Sequence, residues 1–249
     1  MIASNFKCAF SAKIRDFDHL SLAPHHRLCL RVLTAKCGLA MTISSNEKPR
    51  VTVTGFGPFR SYAENPSARI AEDLSQDEEA NELYSLNCRT MVVAYEDVAH
   101  NVSDIWNAPS KPDLVVHIGV HPKRRTVHIE QCSFGLGYCL YDVKGDIPVD
   151  NANPFYTSSE TIKSQLNCSE LAKAVYEDLH EPEFLAIKES YDPGRYLCGF
   201  AYYASLCHGA DRSLFVHVPE FDAKVTPELL LEAIKAVIAR AIAQRRKQL

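Results

Sequence analysis

The alternation of apolar and polar positions divides the chain from about residue 50 onward into strand-like and helix-like stretches. Residues 50–56 read as a first strand running into a loop with Gly57 and Pro58. Asn65-Pro66-Ser67 opens a helix through about Leu74, with Asn65 as N-cap and Pro66 at the first helical position. A strand is predicted within 86–93, clearest at Met91, Val92 and Val93, and a helix over 97–106. Residues 113–120 hold a continuous apolar run, the pattern of a strand buried on both faces. Residues 124–130 alternate instead, with Thr126, His128 and Glu130 on one side and Val127 and Ile129 on the other.

The pattern breaks over 131–167, where Gly135, Gly137, Pro148 and Pro154 mark a long irregular excursion. It resumes with an amphipathic helix over 169–179, Ser169 as its cap, then a short strand over 184–187. Asp192-Pro193-Gly194 is turn chemistry. After Cys198, Phe200, Tyr203, Ala204 and Cys207 recur at helical spacing, which places Cys198 at a helix N-terminus. Residues 214–219 read as a buried strand closed by Pro219. A last helix over 227–244 turns Leu230, Leu231, Ile234, Val237, Ile238 and Ile242 inward and ends in Arg245-Arg246-Lys247, read as a solvated cap. Strands alternating with helices predict a single-domain α/β/α sandwich, its mostly parallel mixed sheet flanked by helices.

Composition narrows the function. The chain of 249 residues is 46% apolar, enough for one large core. A net charge of −4 without a long basic tract argues against nucleic-acid binding. No stretch is apolar enough to read as a membrane span. Nine scattered cysteines, odd in number, read as reduced thiols of a cytoplasmic protein. The first 40 residues carry +4 and the remainder −8. Residues 1–45 are therefore read as a poorly ordered extension before a domain over 46–249. Mitochondrial targeting is the weaker reading, because Asp16, Asp18, Pro24 and the pair His25 and His26 do not suit a transit peptide; Met41 as the effective start is a third.

The candidate chemistry centres on Cys198 and on His217, which lies 19 residues later at the C-terminal end of a predicted strand. Helix N-termini favour thiolates, and open α/β sheets gather sites at the C-terminal ends of their strands. Taken singly, each residue has a plain structural reading: a buried small thiol, a satisfied histidine. Phosphate loops of the GxxxxGK and GxGxxG types are absent, as is a GxSxG elbow. His117, His121 and His128 fit no compact zinc spacing, so neither a metal nor a cofactor is expected.

The motif Gly194-Arg195-Tyr196-Leu197-Cys198, with Ser213-Leu214-Phe215-Val216-His217-Val218-Pro219, closely resembles the catalytic half of the pyroglutamyl-peptidase I (pyrrolidone-carboxylate peptidase) family. Val51-Thr52-Val53-Thr54-Gly55-Phe56-Gly57-Pro58-Phe59 and Asn65-Pro66-Ser67 resemble its N-terminal signature, and Thr126-Val127-His128-Ile129-Glu130 carries the family's glutamate. The resemblance covers residues 50–245. It implies a cysteine omega-peptidase whose partners are peptides with N-terminal pyroglutamate. Cys198 would be nucleophile, His217 general base and acid, and Glu130 the group that orients His217. Phe56, Phe59 and Asn65 would line the lactam pocket. The resemblance leaves the oligomeric state open. Three positions depart from the family pattern: Gly135 and Gly199 where relatives carry asparagine or an acid, and Val143 after Asp142. They motivate an alternative, a catalytically silent relative that binds pyroglutamyl peptides or another partner. A flavodoxin-like small-molecule-binding module is a poorer alternative, lacking a phosphate loop.

Overall fold

The strand that opens the pattern is β1 (Arg50–Phe56), and further strands and helices follow from there. The computed structural model describes residues 47–60, 62–122 and 125–248; the readings of residues 1–40 and of Met41 lie outside them. After β1 come α1 (Pro66–Gln76), α2 (Glu78–Leu83), β2 (Ser85–Met91), α3 (Tyr95–Asn107) and β3 (Leu114–Val120). Then follow β4 (Thr126–Glu130), β5 (Cys132–Phe134), β6 (Thr161–Lys163), α4 (Cys168–Asp178) and β7 (Ala186–Ser190). The chain closes with α5 (Leu197–Gly209), β8 (Ser213–Val218) and α6 (Pro227–Arg246).

The main sheet has the order β2-β1-β3-β8-β4-β7. Every neighbouring pair is parallel except β4 with β8. One face packs Val51, Val53, Val116, Ile118, Val127, Ile129, Leu214 and Val216 against α1, α4 and α6. The other packs Val115 and Phe215 against α3 and α5. This is the α/β/α sandwich expected of strands that are apolar on both faces. Among the described residues no helix is long and apolar enough to cross a membrane.

The second face also carries the buried polar side chains Thr54, His117, Glu130 and His217. The predicted grouping of Thr126, His128 and Glu130 holds, since Val127 and Ile129 join the opposite core. Several local readings shift. Helix α2 was not predicted; Asp77 caps it, but its sequence EEANEL offers no apolar period. The cap of α4 is Asn167, whose side chain accepts from Glu170 N–H, rather than Ser169. Residues 182–184 form a 3-10 turn, so β7 starts at Ala186, two residues past the predicted 184. In α6 Leu229 joins the predicted inward residues, and Leu231 packs against the same core only partly buried. Arg245 is no solvated cap: it pairs with Asp113 at 3.7 Å and Asp211 at 3.5 Å. Cys207 is exposed although the rest of α5 is buried almost all round.

Candidate active site

Cys198 is the second residue of α5, after Tyr196 as N-cap and Leu197. The turn before it is built as the sequence suggests. Asp192 Oδ1 accepts the Gly194 N–H at 3.0 Å, and Gly194 takes a φ of 78°. Tyr196 gives α5 no side-chain cap, whereas α1, α2, α4 and α6 are capped by Asn65, Asp77, Asn167 and Thr226. The first-turn N–H groups of α5 therefore keep their polarity for whatever sits beside Cys198.

The thiol abuts β3. A β-carbon on Gly119 would lie 2.9 Å from Cys198 Sγ and 2.8 Å from Phe215 Cζ, so only glycine lets the sulfur come this near the strand. Gly119 is paired in register with His217 on β8, which brings imidazole and thiol near enough for the sulfur to act on the His217 pKa. His217 Nδ1 lies 2.7 Å from Glu130 Oε1. Both side chains are buried, His217 at 3% and Glu130 at 0% exposure. Burial pushes the His217 pKa down, but hydrogen bonds and charge from Cys198 and Glu130 outweigh it and raise it to about 9.

Glu130 reaches His217 because β4 is reversed. Opposite β8 the register pairs His128 with His217 and Glu130 with Phe215. The C-terminal end of β4 thus points down into the sheet, beneath His217, while the other site strands end at the rim. His121 and His128 crowd the same corner: the His121 ring lies 5.4 Å from His217 and 5.3 Å from His128. His117 stands apart from them, both of its nitrogens bonded, to Thr54 and to Ser205.

Beside the thiol opens a pocket of about 240 Å3, counting the space at its mouth. Phe56, Phe59 and Asn65 line it, together with Val93, Val120, Tyr196, Leu197 and Cys198. Phe56 is buried against Phe215, and Phe59 is half-buried and stacks on Tyr62. Asn65 is largely occupied in holding the wall: it caps α1 through Ser67 N–H and donates from Nδ2 to the Gly57 carbonyl at 3.1 Å. Val93, Val120 and Tyr196 were not singled out from the sequence. Val93 and Val120 sit at or just past the C-terminal ends of β2 and β3, and that placement was the available signal.

Of the positions that depart from the family pattern, Gly135 and Gly199 are closely packed, whereas Val143 is exposed. A β-carbon on Gly199 would lie 2.1 Å from the Gly194 carbonyl oxygen. The space beside Gly135 is filled by the rings of Tyr156 and Tyr203. Asp142 anchors the excursion to α3 by accepting Tyr95 N–H at 2.9 Å. Its carboxyl pays for burial, yet backbone N–H groups of Asp146, Tyr95 and Lys144 hold its pKa below the usual range. Arg195 lies 3.4 Å over the Phe134 ring and pairs with Asp192, so it braces the turn before Cys198.

Residues 47–222 match the family described as "Putative pyroglutamyl peptidase PgaPase_1". The chain belongs to the pyroglutamyl peptidase family. Pyroglutamyl-peptidase 1 of Rattus norvegicus is 33% identical over 199 residues, covering 77% of this chain and 90% of the rat protein. The pyrrolidone-carboxylate peptidase of Pyrococcus furiosus is 29% identical over 220 residues, covering 78% and 98%. The solved pyrrolidone carboxyl peptidase of Thermococcus litoralis superposes with a TM-score of 0.69 at 18% identity over 81% of this chain and 96% of that one, which shows the shared fold. Within the family this chain is a pyroglutamyl-peptidase I-like cysteine peptidase.

Proposed function

We propose that the chain hydrolyses the bond between an N-terminal pyroglutamyl residue and the rest of a peptide, with Cys198, His217 and Glu130 as its reacting and orienting groups. The observation that carries this reading is the buried 2.7 Å contact from Glu130 to His217, whose ring lies beside the Cys198 thiol at the mouth of an aromatic pocket. The flat lactam enters between Phe56 and Phe59. Cys198 gives its proton to His217 as Sγ attacks the pyroglutamyl carbonyl carbon, and the first-turn N–H groups of α5 receive the oxyanion. His217, whose charged form Cys198 and Glu130 favour, then delivers that proton to the leaving amine as the C–N bond breaks. Water then attacks the thioester, gives a proton to His217 and releases pyroglutamate and the thiolate. Glu130 fixes the imidazole tautomer throughout and offsets its charge.

The test is release of a fluorescent amine from a pyroglutamyl amide under reducing conditions, wild type beside Cys198→Ala. Turnover in the wild type and none in the variant is expected. Turnover that survives Cys198→Ala, or its absence from a folded and reduced wild type, overturns the reading.

A further inference from the structure

The sheet face beneath α5 carries a second histidine that the proposed chemistry does not use. His117, on β3 two residues before Gly119, is fully buried. Its Nδ1 lies 2.7 Å from Thr54 Oγ1 on β1, and its Nε2 lies 2.6 Å from Ser205 Oγ on α5. Trp106 on α3 donates from Nε1 to the same hydroxyl at 3.0 Å. One imidazole thus ties β1, β3, α5 and α3 together inside a largely apolar layer. Burial pushes its pKa down to about 3, so the ring is neutral, with one nitrogen donating and the other accepting.

Two lines lead from His117 to the reactive pair. One runs through Ser205, about two turns beyond Cys198 on the same helix, which sets how α5 stands on the sheet. The other runs through Phe215. His117 stacks on that ring at 6.3 Å, and the ring packs against His217 at 4.8 Å. Phe215 and Cys198 Sγ also share the space left open at Gly119.

We propose that His117 is a positioning residue for the reaction. Its bridge to Ser205 and its stack on Phe215 hold the Cys198 sulfur and the His217 ring in place beside one another. The inference rests on the Cys198–His217 reading above, and it acts through those groups without touching substrate. A polar chain buried this completely is costly to break, because each member left unpaired loses its compensation for leaving water.

The test reads the dyad without any peptide: the rate at which iodoacetamide alkylates Cys198, measured against pH. The groups titrating against the thiol are His217 and Glu130, with His121 and His128 beside His217, and all four stay unchanged in the variants. Ser205→Ala cuts only the helix link; His117→Leu cuts both links; His117→Gln keeps a polar group. Ser205→Ala and His117→Leu are expected to lower kcat at least about tenfold with KM held within about twofold. They also move the alkylation profile by about one pH unit, and His117→Gln recovers part of both effects. Ser213→Ala is the control. It removes a hydroxyl bonded to the Ser205 and Gly209 carbonyls in the same layer, and is expected to lower the unfolding temperature without moving the profile. Folded Ser205→Ala and His117→Gln with the wild-type profile and kcat overturn the inference, as does an equal shift from Ser213→Ala. A wild-type profile no different from that of a free thiol removes the parent reading as well.

Discussion

Replacing Glu130 with glutamine keeps the shape of the side chain and removes its charge, and the structure sets the size of the effect. The movement of the His217 pKa from 6.5 to about 9 corresponds to on the order of 3 kcal/mol in favour of imidazolium. Cys198 raises the value first and Glu130 after it; opposite charges about 4 Å apart attract by about 4 kcal/mol at an effective dielectric of about 20, so losing the Glu130 carboxylate while burial still lowers the pKa is enough to remove most of the shift. Because the pKa is raised, His217 keeps its proton through neutral pH and sheds it as the pH passes about 9. Activity that needs the imidazolium to protonate the leaving amine therefore falls on the alkaline side near that value. In Glu130→Gln the alkaline limb should drop by about two pH units, to about 7. At pH 8 that leaves roughly a tenth of the protein with a charged imidazole, and the weaker hold on the ring tautomer adds to the loss. The expected fall in kcat/KM at pH 8 is on the order of a hundredfold. The assay is kcat/KM on a pyroglutamyl amide from pH 5 to about 10, with the His217 ring followed in parallel by NMR titration. A limb that stays near 9 in a folded variant, with kcat/KM changed less than about threefold, would refute the electrostatic account.

Gly119→Ala should displace the thiol or Phe215, lowering kcat by at least about tenfold and stability by about 1–3 kcal/mol, read by turnover and thermal unfolding. Gly199→Asn, which introduces the side chain that the family resemblance implies, should lower the unfolding temperature and not raise turnover, because the β-carbon meets the Gly194 carbonyl; a gain in turnover would show that the turn yields at little cost. The two pocket phenylalanines should separate. Phe59→Ala raises KM with little change in denaturant midpoint, whereas Phe56→Ala, at a core position, costs about 3–5 kcal/mol in urea unfolding as well.

Much of the sheet was legible because β3 and β8 are buried on both faces and read as largely apolar runs, while β1 alternates valine with threonine. The thiol and imidazole were legible too, since a turn, a helix start and a strand end each leave a local signature around Cys198 and His217. The reversal of β4 was not. Its alternation declares which residues share a face, but the direction of pairing is decided by β8, whose His217 lies 87 residues from Glu130. Helix α2 escaped because a short polar helix held by Asp77 has no apolar period to detect. Asn167 and Ser169 are both good caps two residues apart, and only the backbone geometry chooses between them. The pocket walls Val93, Val120 and Tyr196 read as ordinary core residues until neighbouring strands bring them to one mouth.

The strand order also bears on when this molecule becomes reactive. Strands β1 to β3 complete one half-sheet from the first part of the chain, and β4 with β7 complete another. Strand β8 comes last in sequence and inserts between the two halves as a wedge. It carries His217. A growing or partly folded chain therefore exposes Cys198 without its base and Glu130 without its partner. Long-range strand pairing of this kind is in general slow to close. Joining the halves and assembling the dyad are one step, so an unfinished copy of this peptidase meets the other proteins of its surroundings with an idle thiol.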